Sequence, residues 1–106
     1  MTIDEHTVNE IVRRILTVAS PGKVILFGSA ATGGMTSHSD IDLLVVEADL
    51  DNRRQEYVHI RRALRGMGYP FDIFFISAEW FEQSKDVIGG IAYPANKHGK
   101  VIYEAT

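Results

Sequence analysis

The chain contains no cysteine, only three prolines and a single tryptophan in 106 residues. Without cysteine there can be no disulfide, no thiolate zinc site and no cysteine nucleophile, and any redox compartment is compatible. Positive charge is not in surplus either. With a formal net charge of −3 and a pI near 5.7, the chain has no general cationic field to hold long nucleic acid by its phosphates, although a local basic patch is still allowed. No apolar run approaches membrane-spanning length. The first residues, Met1-Thr2-Ile3-Asp4-Glu5-His6, are acidic where a signal peptide would be basic. The expected setting is therefore cytoplasmic, away from the membrane.

What is present is an ordinary globular composition, 45% hydrophobic and 24% charged. A chain of this length is read as one domain over residues 1–106, with a modest core and little room for a separate substrate-binding lobe. No internal repeat, low-complexity segment or linker interrupts it.

Residues 7–19 carry Val8, Ile11, Val12, Ile15 and Leu16, the spacing of one buried helix face, and Ser20-Pro21-Gly22 stops it. Lys23–Phe27 and Ile41–Val46 read as buried strands rich in Val, Ile and Leu. A second helix is expected from Asp51 to about Met67, capped by Asp51 or Asn52, with Tyr57, Ile60, Leu64 and Met67 on its packing face. Phe71–Ile76 is a third strand, and Ser77 caps a short helix in which Trp80 and Phe81 read as core residues. Residues 86–97 are ambiguous, since Gly89-Gly90 and Pro94 argue against an uninterrupted helix, and Lys100–Tyr103 reads as a short edge strand. The order helix, strand, strand, helix, strand, helix predicts an α+β domain, a small mixed sheet packed by helices. A helix between the second and third strands lets them run parallel through a right-handed crossover.

The stretch that carries chemistry is Phe27–Val46. Gly28-Ser29 closes one strand, a glycine-rich connection follows, and Asp40-Ile41-Asp42 opens the next. Side chains at i and i+2 of a strand share a face, so Asp40 and Asp42 lie together. Their mutual repulsion points to a cation between them. A tight turn or first helical turn at Gly28-Ser29 presents unpaired N–H groups to an anion, and a glycine lets a phosphate approach the main chain. Cradle and carboxylates suit a metal-bound triphosphate. Asp40 alone is equally a turn residue after Ser39, and Gly28-Ser29 alone an ordinary strand end. Asp42, inside an apolar strand, is costly unless paired.

The run L-F-G-S, then small residues, then S-D-I-D-L-L-V resembles the signature of the polymerase-β-type nucleotidyltransferase superfamily, and most closely its small stand-alone group, the minimal nucleotidyltransferases (MNT). Members carry a third carboxylate on a neighbouring strand, and Asp72 in Phe71-Asp72-Ile73-Phe74 fits that position. The element order and the closing Gly99–Glu104 segment are also similar, so the resemblance covers nearly the whole chain. It implies the polymerase-β-type fold and two magnesium ions, with manganese as an alternative, roughly 4 Å apart at an in-line displacement on phosphorus. Asp40 and Asp42 would bridge both ions, and Asp72 would hold the one that acidifies the acceptor hydroxyl. Gly28, Ser29 and Ser39 are the residues expected to bind the nucleotide, ATP or another triphosphate. Asp72 has a rival role as the salt-bridge partner of an arginine on the preceding helix.

Many relatives carry an arginine directly after Gly-Ser and another two residues on, where this chain has Ala30 and Thr32. Metal and backbone must then neutralise more of the triphosphate, or another cation such as Lys23 must help. Arg54, Arg61 and Arg65 form a stripe on the second helix, either a surface for an acidic partner or RNA backbone or a solvated flank. His38, just before Ser39-Asp40, is either a group that reaches the phosphates or the acceptor or, as loop histidines more often are, incidental. His6, His59 and His98 lack ligand spacing.

Minimal nucleotidyltransferases are typically paired with a small helical HEPN-type protein in toxin–antitoxin modules, some adding AMP to a tyrosine of the toxin. The resemblance therefore implies transfer of a nucleoside monophosphate, AMP first among them, to a hydroxyl of such a partner with release of pyrophosphate. Two alternatives stand beside it: a catalytically weak domain that masks its partner stoichiometrically, and an enzyme acting on a small molecule or an RNA end. Homo-oligomer formation is left open.

Overall fold

A computed structural model describes residues 3–34 and 39–106; His38 lies outside the described residues. The elements are α1 (Glu5–Leu16), β1 (Lys23–Phe27), α2 (Ser29–Thr32), β2 (Ile41–Glu47), α3 (Arg53–Ala63), β3 (Phe71–Ser77), α4 (Ala78–Ser84), α5 (Ala92–His98) and β4 (Lys100–Glu104). The strands form one four-stranded sheet in the order β3-β2-β1-β4. β1 is antiparallel to β2 and β4, and β2 is parallel to β3 through the α3 crossover. This is the α+β architecture that the order of apolar segments predicts, with β4 on the edge.

Strand alternation sorts the core into two layers. Ile41, Leu43 and Val45 of β2 and Phe71 and Ile73 of β3 point to α1 and α3, where Ile11, Ile15, Ile60 and Leu64 close the larger core. On the opposite face Ile25, Leu44, Val46 and Ile76 pack under Phe81, Ala92 and Ala95 of α4 and α5. β2 is central, which is why its side chains, Asp42 excepted, are buried throughout.

Helix boundaries follow local chemistry. α1 starts at Glu5, two residues earlier than the apolar spacing indicates, because the Asp4 carboxylate accepts the Thr7 N–H at 2.7 Å. It ends at Leu16, where the Thr17 hydroxyl donates to the Arg14 carbonyl at 2.6 Å. α3 stops at Ala63, short of Met67, ahead of a turn in which Gly66 and Gly68 adopt φ of 91° and 88°. In the ambiguous stretch, helix forms only from Ala92, and Pro94 sits in its first turn, where a missing N–H costs nothing.

One core assignment is corrected. Phe81 is 3% exposed, but Trp80 is 59% exposed, because the seven-residue α4 turns one narrow face to the sheet and its neighbour in sequence lies about 100° away. Tyr57 is likewise at the rim of the core, 38% exposed, its ring 6.5 Å from that of Phe75. The arginine stripe is partly structural: Arg61 donates to the Phe71 carbonyl at 2.8 Å and lies over the Tyr57 ring, tying α3 to the start of β3.

Candidate active site

The site is assembled at one end of β2, where three strand ends meet. β1 finishes at Phe27 and the chain turns at Gly28, whose φ of 72° and ψ of −153° suit a residue without a side chain. The single turn α2 follows, with the Ala31 and Thr32 N–H groups donating to the Gly28 carbonyl. The N–H groups of Ser29 and Ala30 belong to this first turn and have no intrahelical acceptor. Phe27 pairs with Asp42 in the β1–β2 ladder, which brings Gly28 onto the Asp42 carboxylate. A methyl group at Gly28 would run into an oxygen of Asp42. The glycine therefore does two jobs, making the turn and leaving space for the acid.

On the other flank, Asp42 pairs with Asp72 in the parallel β2–β3 ladder, so the two acids sit on neighbouring strands about 4.8 Å apart in the main chain. Asp40, two residues before Asp42, shares its face. The Asp40 carboxyl is hydrogen-bonded to that of Asp72, which raises its pKa, with burial and the Asp72 charge adding to the effect. Asp42 is also shifted upward, first by burial and then by the charges of Asp72 and Asp40. Among the described residues no lysine or arginine forms an ion pair with any of the three, and the arginine bridge considered for Asp72 is absent. The structure thus brings the three sequence-predicted acids together with no basic side chain among the described residues to offset their repulsion.

Three oxygen donors of like charge at a solvent-open rim fit a hard divalent cation in donor type. The side chains as they stand are not a closed cage: among the described residues no group of three or more His, Asp or Glu surrounds a common ion position. Asp40 and Asp72 are instead turned to each other. Ser39 lies directly before Asp40 and is half-buried. Lys23 is excluded as a phosphate partner, since it is at the opposite end of β1, 3.7 Å from Glu104 and over the Phe81 ring.

Two features escape sequence inspection. The Phe27 and Phe74 rings meet at 5.8 Å on the same sheet face as Asp42 and Asp72. Glu47, at the far end of β2, is 7% exposed, with one carboxylate oxygen lacking any hydrogen-bond partner. Burial, and then hydrogen bonding to Glu56, push its pKa up to about 8. The signal was available: Glu47 falls in the inward-facing register of Ile41, Leu43 and Val45. Two cavities among the described residues lie away from the acids. One of about 370 Å³ adjoins Glu47, Glu56 and His59, and one of about 300 Å³ lies between Ile76, Trp80 and Ile88.

Residues 6–93 match the nucleotidyltransferase domain family. No curated protein matches the chain. Among solved structures, a chain in the crystal structure of a toxin–antitoxin with AMP-PNP superposes with a TM-score of 0.69 at 21% identity, over 92% of this chain and 73% of the other. A chain in the complex of tri-AMPylated Shewanella oneidensis HEPN toxin with MNT antitoxin superposes with a TM-score of 0.62 at 19% identity, over 97% and 74%. At such identities the likeness is one of fold.

Proposed function

Because the chain belongs to the nucleotidyltransferase domain family, we propose that it transfers a nucleoside monophosphate, AMP in the first instance, from its triphosphate to a hydroxyl of a partner protein, releasing pyrophosphate. The observation that carries this reading is the meeting of Asp40, Asp42 and Asp72 beside Gly28. Gly28 and Ser29 accept the β and γ phosphates on main-chain N–H groups and the Ser29 hydroxyl, with Ser39 bordering the same loop. Asp40 and Asp42 would hold two divalent cations, magnesium or manganese, and Asp72 would share the one on the acceptor side. Bound there, the cations would supply charge stabilisation of both the attacking and the leaving oxygen. Asp72 would also share in taking the acceptor's proton.

The fold shared with the chains of toxin–antitoxin complexes, one of them holding an AMPylated HEPN toxin, supports a HEPN-type protein as the acceptor. A second reading has one specific observation behind it. The first turn after Gly28 carries Ala30 and Thr32 and no basic residue, so a domain that binds its partner without modifying it is the alternative.

Incubation with α-labelled ATP and magnesium, with and without a co-expressed HEPN-type partner, separates the two. Label on the partner, abolished by Asp42→Asn, is expected. A tight complex that takes up no label would establish the stoichiometric reading instead.

A further inference from the structure

We propose that Phe74, backed by Phe27, is the shelf on which the ring of the transferred nucleoside rests. The inference builds on the nucleotidyl-transfer reading and adds where the non-reacting half of the nucleotide lies. In-line displacement sets the acceptor and the leaving pyrophosphate on opposite sides of the α-phosphorus. The groups proposed for those two roles lie in one row across the sheet: Gly28 at the end of β1, Asp42 on β2, Asp72 on β3. The row spans two strand spacings, about 10 Å, which is the direction of the reaction axis. The ribose joins the α-phosphorus through an oxygen off that axis, so the nucleoside must leave the row sideways, either into solvent or down the face of the sheet.

That face is prepared for a flat apolar group. Phe74 is two residues beyond Asp72 and shares its side of β3. Its ring is 40% exposed, whereas Ile76, two residues further on the same face, is 5% exposed under α4. The helical cover therefore ends between them, and the uncovered part begins directly below the acids. Phe27, itself 9% exposed, abuts Phe74 across β2 at a ring distance of 5.8 Å and a tilt of 53°, bracing the exposed side chain with a buried aromatic neighbour. A part-exposed phenylalanine braced in this way offers a surface on which a base stacks whatever its identity.

The test compares binding of a non-hydrolysable ATP analogue and of inorganic tripolyphosphate, both with magnesium, by calorimetry. Phe74→Ala is expected to weaken the analogue about tenfold and leave tripolyphosphate unchanged, since only the former has a ring to stack. Phe74→Trp should restore analogue binding, and a thermal melt checks that each variant is folded. Equal loss for both ligands, or no loss for either, overturns the shelf, as does a Phe74→Ala effect confined to the KM of the acceptor. If the wild-type protein binds neither ligand, the nucleotidyl-transfer reading itself fails, and the shelf with it.

Discussion

The two ends of β2 pose the same electrostatic problem and meet it differently. At one end Asp40, Asp42 and Asp72 crowd a rim open to water, and Asp40 and Asp72 share a hydrogen bond. At the other, Glu47 is enclosed beneath α3 and hydrogen-bonded to Glu56, with its pKa raised to about 8. A buried carboxyl is held neutral by a proton because its charged form would be desolvated without a cation beside it. A trio at a rim open to water leaves room for a cation to offset the charge. Like charges drawn together in a strand therefore have two outcomes, and solvent access decides between them.

The sharpest way to break this contrast is to remove one acid from each end. Asp42→Asn is expected to reduce nucleotide transfer at least about a hundredfold, the scale of losing a group that stabilises charge at the reacting centre. Glu47→Gln, in the same assay, should leave transfer unchanged. Equal losses would mean that the two ends act as one unit and that the distinction drawn here is false.

Next in size is the glycine packed against the rim. Gly28→Ala combines a positive φ with a collision with Asp42, and should cost about 2–3 kcal/mol in urea unfolding while reducing transfer at least about tenfold. Gly66→Ala, which has a similar φ of 91° but open space around it, should cost about 1 kcal/mol and spare activity. If the two variants behave alike, the close approach of Gly28 to the acid is unimportant.

The last comparison concerns the buried end and leaves transfer untouched. The Glu47 pKa is raised in the folded state from an ordinary value near 4.5 to about 8, so the folded protein holds a proton that the unfolded chain releases. The Glu47 contribution to stability is full below about pH 4.5 and is lost progressively as pH rises towards about 8. Thermal melts between pH 5 and 9 should show this decline, and Glu47→Gln should make it shallower. A wild-type profile that is level across that interval would contradict the raised pKa of the buried Glu47.

Much of the rim was legible in the sequence because it depends on short-range geometry. The i, i+2 spacing of Asp40 and Asp42, the Gly28-Ser29 turn and the strand position of Asp72 are fixed by a period of two and by one parallel crossover. What was not legible depends on tertiary cover. Trp80 looked like core and is exposed because α4 is too short to bury two adjacent aromatics. Glu47 lies one residue beyond the strand as read from the sequence, Ile41–Val46, and although its register is inward, its enclosure requires α3 to fold back over it. Helix ends shifted by two to four residues where a cap, such as Asp4, or a glycine turn, such as Gly66–Gly68, overrode hydrophobic spacing.

The central claim is that Asp72 on β3 works with Asp40 and Asp42 on β2 as one cation-binding set. Manganese binding in the presence of a non-hydrolysable ATP analogue, followed by electron paramagnetic resonance, tests it most directly. Both Asp42→Asn and Asp72→Asn are predicted to lower the number of bound ions, with Glu47→Gln matching the wild type. Full manganese occupancy in Asp72→Asn would contradict the account.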